Sequence, residues 1–150
     1  MDLIPCRVRG VFVAVSPAGV SPAVLLDVAG DICLPIYTGL WEAISINAAI
    51  NNEISPRPLT HDLFIEFLNR YQVTLRALHI DSLEEGVYYA NLLLCRDNQE
   101  EMIDCRPSDG IAIAIRCKSG IFLERAVAES SGLHPAELPP FIRLQAYLAG

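Results

Sequence analysis

No apolar run in the 150-residue chain comes near the length of a membrane-spanning helix. Stretches such as Ile111 to Ile115 are broken within a few residues, whereas a span needs about 20. The N-terminal Met1-Asp2-Leu3-Ile4-Pro5-Cys6 has neither the basic start nor the apolar run of a secretory signal, so no leader is expected. Lysine is almost missing. Lys118 is the only one, and 11 basic residues face 18 acidic ones, a formal charge of −7. That sign argues against passive electrostatic binding of nucleic acid, which draws its affinity largely from neutralised phosphates. No C-x-x-C pair occurs among Cys6, Cys33, Cys95, Cys105 and Cys117, and His61, His79 and His134 lie far apart, so zinc-ligand spacing is absent. An odd number of thiols among apolar neighbours reads as buried, reduced cysteine, which fits the cytoplasm.

What is present in quantity is apolar. A hydrophobic share of 52% against 19% charged residues is ample for one sizeable core, and excludes a disordered chain. The cations other than Lys118 are arginines, whose forks hold carboxylates or phosphates bidentately; codon usage is the plainer account of the bias.

Alternating residues from Leu3 to Val15 predict a half-buried strand, bent at Gly10. A turn over Pro17 to Pro22, a strand over Ala23 to Val28, a turn at Gly30-Asp31 and a strand over Ile32 to Tyr37 complete an antiparallel meander. Pro35 marks an edge or a strand end. The period then changes. Trp41, Ile44, Ser45, Ala48 and Ala49 share one helical face, read as the buried side of a helix ending near Asn51-Asn52. Thr60 is placed to cap a second helix, with Asp62 in its first turn and Leu63, Phe64, Phe67, Leu68 and Tyr71 as its buried stripe. Strands follow over Val73 to Asp81, Val87 to Arg96 and a short segment ending near Asp104. A third helix, apolar all round and therefore central, opens after Pro107. A short strand at Ile121 to Leu123 and a small helix to Ser131 lead into residues 129–150, a tail with a docking helix near Arg143 to Leu148. The expected class is α+β: a mainly antiparallel sheet, two consecutive central helices and a third buried helix toward the C-terminal end.

One motif occurs twice. Arg57-Pro58-Leu59-Thr60-His61-Asp62 and Arg106-Pro107-Ser108-Asp109 share an Arg-Pro, a hydroxyl, and an Asp in the first helical turn. Pro keeps the Arg extended, and the Asp sits at the positive end of the helix dipole. Two such units either pair crosswise as a structural clamp, Arg57 to Asp109 and Arg106 to Asp62, or ring a cleft for a metal and a phosphate.

These two blocks, with Leu34-Pro35-Ile36-Tyr37 and Trp41-Glu42-Ala43 before them, resemble the bifunctional nuclease domain family over roughly residues 1–128. The third block of the family usually reads Asp-Ala-Arg-Pro-Ser-Asp-Ala; Cys105 and Gly110 are small-residue departures from it, expected to matter little. Tyr37 stands where the family often has Trp. The resemblance implies a compact α+β domain of bacteria, archaea and plants that self-associates. Its plant members are described as nucleases acting on both RNA and DNA.

Phosphodiester hydrolysis needs neutralised phosphate charge, an activated water and help for the leaving oxygen. Candidate metal ligands are Asp62 and Asp109, with Asp104 and Glu42 as further carboxylates, a set suited to Mg²⁺ or Mn²⁺. Arg57 and Arg106 are the candidate phosphate grips. His61 is the candidate acid or base, which with Asp62 and Asp109 makes the catalytic set. Each has a plainer role available: Asp62, Asp109 and Glu42 as helix-start charges, Asp104 as an anchor for Arg106, His61 as a satisfied polar group. A different class also fits, a non-catalytic homo-oligomeric module binding a small anionic ligand or a protein partner. The net charge and the apolar excess favour that alternative.

Overall fold

Alternation over Leu3–Ser16 makes a long strand, β1, which a tight turn folds back into β2 (Gly19–Val28) and a second turn into β3 (Ile32–Tyr37). The first turn is shorter than the sequence suggests, because pairing of Ser16 with Gly19 carries β2 back almost to Pro17. The register of β1 slips between Val8 and Gly10, so a bulge takes up the expected bend. Two helices come next, α1 (Leu40–Ile50) and α2 (Thr60–Arg70). A second meander follows, β4 (Thr74–Glu84), β5 (Val87–Arg96) and β6 (Gln99–Cys105). Its tight turns set Glu85, Asp97 and Asn98 at positive φ. The computed structural model describes residues 2–150.

The two meanders do not pair with each other. After α3 (Pro107–Cys117) the chain enters β7 (Gly120–Glu124), which lies between them: antiparallel to the start of β1, parallel to β4. The sheet order is β3-β2-β1-β7-β4-β5-β6, and the proline-bearing β3 is an edge strand. The class is α+β, mainly antiparallel, with one parallel pair. Helix α4 (Arg125–Ser131) packs on β7, β4 and β3. Beyond it Leu133 bridges to Cys33, Phe141–Arg143 forms β8 on β1, and α5 (Leu144–Ala149) seats a fully buried Leu144. Residues 129–150 therefore pack on the same sheet as the rest.

Helix α3 is the centre of the helical layer. Ile111, Ala112, Ile113 and Ala114 are all buried, against β4, β5 and β7 below and α1 and α2 beside them. Gly110 lets it come this close. A Cβ there would sit 2.5 Å from Leu78 Cδ1 and 3.1 Å from Cys105 Sγ.

Two expected faces are corrected. On α1 the buried residues are Ala43, Ser45, Ile46 and Ala48, while Trp41 is 78% exposed. The helix starts at Leu40, and Trp41 lies in its exposed first residues, ahead of the first buried one, Ala43. On α2 only Leu68 is buried; Leu63, Phe67 and Tyr71 face outward at 63%, 56% and 54% exposure. This helix packs on α3 along a narrow strip, too little to cover a wide apolar stripe. Thr60 is not the cap either. Leu59 is the N-cap residue, and its N–H is taken by the Asp62 carboxylate.

Candidate functional site

The three blocks meet where the starts of α1, α2 and α3 converge. Glu42 rises from the first turn of α1, His61 from that of α2, and Arg106 and Asp109 flank the entry to α3. Pro107 at the first helical position has no N–H to waste and keeps Arg106 extended at the N-cap. With Trp41, Ile44, Ser45, Leu59 and Thr60 these side chains line a cleft of about 380 Å³.

Asp109 is the hub. Its Oδ1 receives His61 Nε2 at 2.9 Å, and its Oδ2 receives Arg106 Nε at 2.9 Å. Arg106 Nη2 reaches both Asp109 Oδ1, at 3.3 Å, and Glu42 Oε1, at 3.1 Å. Burial pushes the Asp109 carboxyl up, but the Arg106 and His61 hydrogen bonds outweigh it, and the group sits below the usual carboxylate range. Arg106 Nη1 makes no hydrogen bond among the described residues, so two N–H groups of an otherwise fixed fork stay uncommitted.

Behind the cleft a second arginine completes the chain of bonds. Arg116, only 11% exposed, donates from Nε to Asp62 Oδ1 at 2.8 Å, from Nη1 to the Ala112 carbonyl, and from Nη2 to the Ser45 carbonyl and hydroxyl. Ser45 Oγ in turn lies 2.6 Å from His61 Nδ1. Arg116 can only donate and the Asp109 carboxylate can only accept. The neutral imidazole that satisfies both therefore carries its proton on Nε2 and takes the Ser45 hydroxyl proton at Nδ1. His61 is thus gripped at both nitrogens, with its side chain 12% exposed. The other oxygen of Asp62 accepts the Leu59 N–H at 2.9 Å. Burial opposes ionisation there as well, and the Arg116 and Leu59 hydrogen bonds outweigh it, holding Asp62 low.

The structure thus brings Glu42, His61, Arg106 and Asp109 together in one cleft and sets Asp62 behind them. It does not bring in Arg57, exposed two residues before the lining, or Asp104, exposed on β6. The crosswise clamp does not form. Arg106 pairs within its own motif and with Glu42, and Asp62 pairs with Arg116, because each Asp turns back toward its own helix start. Ser45 and Arg116 are site residues that the motifs left out. The signal for Arg116 was its place seven residues after Asp109, two turns along the same face of α3; Ser45 had none beyond its helical spacing.

A resident divalent metal is not prepared for. Among the described residues no three His, Cys, Asp or Glu side chains gather as a ligand group. Glu42 and Asp109 alone face one point, and the Arg106 guanidinium stands on it. Mg²⁺ is commonly held by one or two carboxylates together with substrate phosphate oxygens and water rather than by an all-protein cage. The pair Glu42 and Asp109 fits that pattern; Asp62 and Asp104 do not.

Comparison with known proteins agrees with the motif blocks. A family model described as the bifunctional nuclease domain matches residues 23–136. An uncharacterized protein of Mycobacterium tuberculosis is 38% identical over 128 residues, covering 85% of this chain and 76% of its own length. Bifunctional nuclease 1 of Oryza sativa subsp. japonica is 34% identical over 113 residues, 73% of this chain. Bifunctional nuclease 1 of Arabidopsis thaliana is 29% identical over 121 residues, 77% of this chain. The match spans only 34% and 37% of those two plant proteins.

Proposed function

We propose a nuclease function from one premise: the chain belongs to the bifunctional nuclease domain family. In this reading it hydrolyses phosphodiester bonds of RNA, DNA or both. The observation that supports it is the convergence of His61 from the start of α2 with Arg106 and Asp109 from the start of α3 on one cleft, with hydrogen-bond contact between them.

Each side chain has a distinct task. Glu42 and Asp109 hold one edge of Arg106, and its uncommitted Nη1 donates a charge-assisted hydrogen bond to a phosphate oxygen. Asp109 orients the attacking water, whose proton passes to solvent as its oxygen bonds to phosphorus. Once protonated, His61 offers its Nε2 proton to the leaving oxygen while the Ser45 hydroxyl turns to accept from Nδ1. Asp62 acts at one remove, fixing Arg116 and through it Ser45 and His61. Arg57 is a further phosphate contact for a strand that runs past Leu59. Mg²⁺ or Mn²⁺ arriving with the phosphate would take the point between Glu42 and Asp109 only with the Arg106 guanidinium swung off it toward the phosphate; such an ion would neutralise phosphate charge and make bound water more acidic. The deciding experiment is cleavage of RNA and DNA by wild type and Asp109→Asn purified in parallel, with Mg²⁺, with Mn²⁺ and with chelator. Activity in wild type alone supports the reading. Equal activity in a folded Asp109→Asn protein removes this site.

The outward stripe of α2 favours a homo-oligomer as the working form. Leu63, Phe67 and Tyr71 fall at i, i+4 and i+8, and the last two rings pack tilted with centroids 4.7 Å apart. Light scattering should show an assembly that Phe67→Asp reduces to a monomer; a monomeric wild type at micromolar concentration would rule this out. Among the described residues no helix is long and apolar enough to cross a membrane. The five cysteines are unpaired, which fits the cytoplasm.

A further inference from the structure

The geometry points to Trp41 as a base-stacking platform at the mouth of the cleft, and to an unpaired nucleotide of a single-stranded nucleic acid as what the site takes. This rests on the nuclease reading and names its substrate class. Trp41 is the chain's only tryptophan, and it lines the cleft while remaining 78% exposed. It precedes Glu42 and stands one helical turn before Ser45, whose hydroxyl holds His61. The indole therefore begins where the Glu42, Arg106 and Asp109 group ends. Among the described residues the close aromatic pairs are made by other rings, and at 78% exposure most of the indole surface is open to a ligand.

Charge explains why a platform is needed. With His61 neutral, Glu42 and Asp109 outnumber Arg106 in the cleft, and the chain as a whole carries −7. Phosphate attraction alone is weak in such a field. Affinity has to come from a term indifferent to charge, and stacking on an aromatic face is one that tolerates any base. A base inside a duplex is already covered above and below, so a stacking platform selects unpaired or terminal bases. A cleft of about 380 Å³ is at the small end of ligand pockets, room for one nucleotide and not for a double helix.

The test uses the single tryptophan as its own reporter. In chelator, titration with single-stranded hexathymidylate should quench the emission. Labelled hexathymidylate followed by anisotropy should bind Trp41→Ala about 5- to 100-fold more weakly than wild type, with Trp41→Phe close to wild type. A long blunt duplex should compete about tenfold or more weakly per nucleotide. The inference is overturned by absent binding, by unquenched emission at saturation, by equal competition from duplex, or by unchanged affinity in folded Trp41→Ala. It is also overturned if the emission shifts with protein concentration alone, which would show the ring covered by a second copy. Cleavage separates the two readings. Binding through Trp41 with no cutting by wild type under any metal condition removes the nuclease and leaves the platform. Cutting with a KM that Trp41→Ala does not change removes the platform and leaves the nuclease.

Discussion

Gly110→Ala is the perturbation with the most direct geometric consequence. The added methyl would lie 2.5 Å from Leu78 Cδ1 and 3.1 Å from Cys105 Sγ, both inside ordinary contact. Helix propensity favours Ala by about 1 kcal/mol, whereas overpacking a filled core costs about 1–3 kcal/mol. The net expected loss is about 1 kcal/mol, roughly 2–4 °C in Tm for a chain of this size. Cys105→Ala removes the sulfur and leaves Leu78 room to move toward the space it held. The double variant, which restores the Ala-and-Ala pattern usual in the family, should therefore be more stable than the sum of the single changes by about 1 kcal/mol. Urea titration of the four proteins measures this coupling. Effects that add within about 0.5 kcal/mol, or a Gly110→Ala protein more stable than wild type, would refute the packing argument. Cleavage assays on the same proteins carry a second readout, because a shift in the start of α3 disturbs the Asp109–His61 contact.

Other consequences follow from the same network. Asp62 and Asp109 bind a proton less readily in the folded chain than in the unfolded one. Their contribution to stability is thus complete above about pH 4, the unfolded carboxyl value, and fades as pH falls through the lower folded values; Asp62→Asn and Asp109→Asn should each flatten the acid limb of a stability profile. Arg116→Lys replaces a fork serving four acceptors by a point charge; we expect a loss of about 2 kcal/mol in chemical denaturation, moderated because Asp62 keeps some solvent, together with a displaced pH optimum of cleavage. Leu144→Ala should cost about 2–5 kcal/mol by thermal melting, since Leu144 is fully buried; a neutral result would show that α5 does not anchor residues 129–150.

Much of this was legible in the sequence, and the parts that were not have a common cause. Period-2 alternation gave β1, and the all-apolar run at Ile111 gave the buried α3, because each pattern reports a local environment. The faces of α1 and α2 were misread for Trp41, Leu63, Phe67 and Tyr71. Periodicity shows that apolar residues share a side; it does not show whether a neighbour covers that side. Within the site, the Arg-Pro echo located His61, Arg106 and Asp109. Their partners depended on side-chain direction, so the crosswise clamp lost to Arg106 pairing within its own motif and Asp62 pairing with Arg116. Arg116 read as an ordinary helix residue because its four acceptors come from three different segments.

The position of β7 has a consequence for how the chain acquires its structure. Its five residues, 120–124, are the only strand joining two meanders that do not otherwise pair, and they come late in the chain. During synthesis β1 emerges early but lacks its neighbour on that side until more than a hundred residues later. Until then each meander exposes an open edge, and α3 has no complete floor to rest on. Joining them requires a closure between distant segments, which is slow in folding and leaves the exposed edges open to wrong pairing meanwhile. The cleft, built on the start of α3, is therefore among the last parts to assemble. A nascent or truncated chain that ends before Gly120 should be an aggregation-prone intermediate with no active centre.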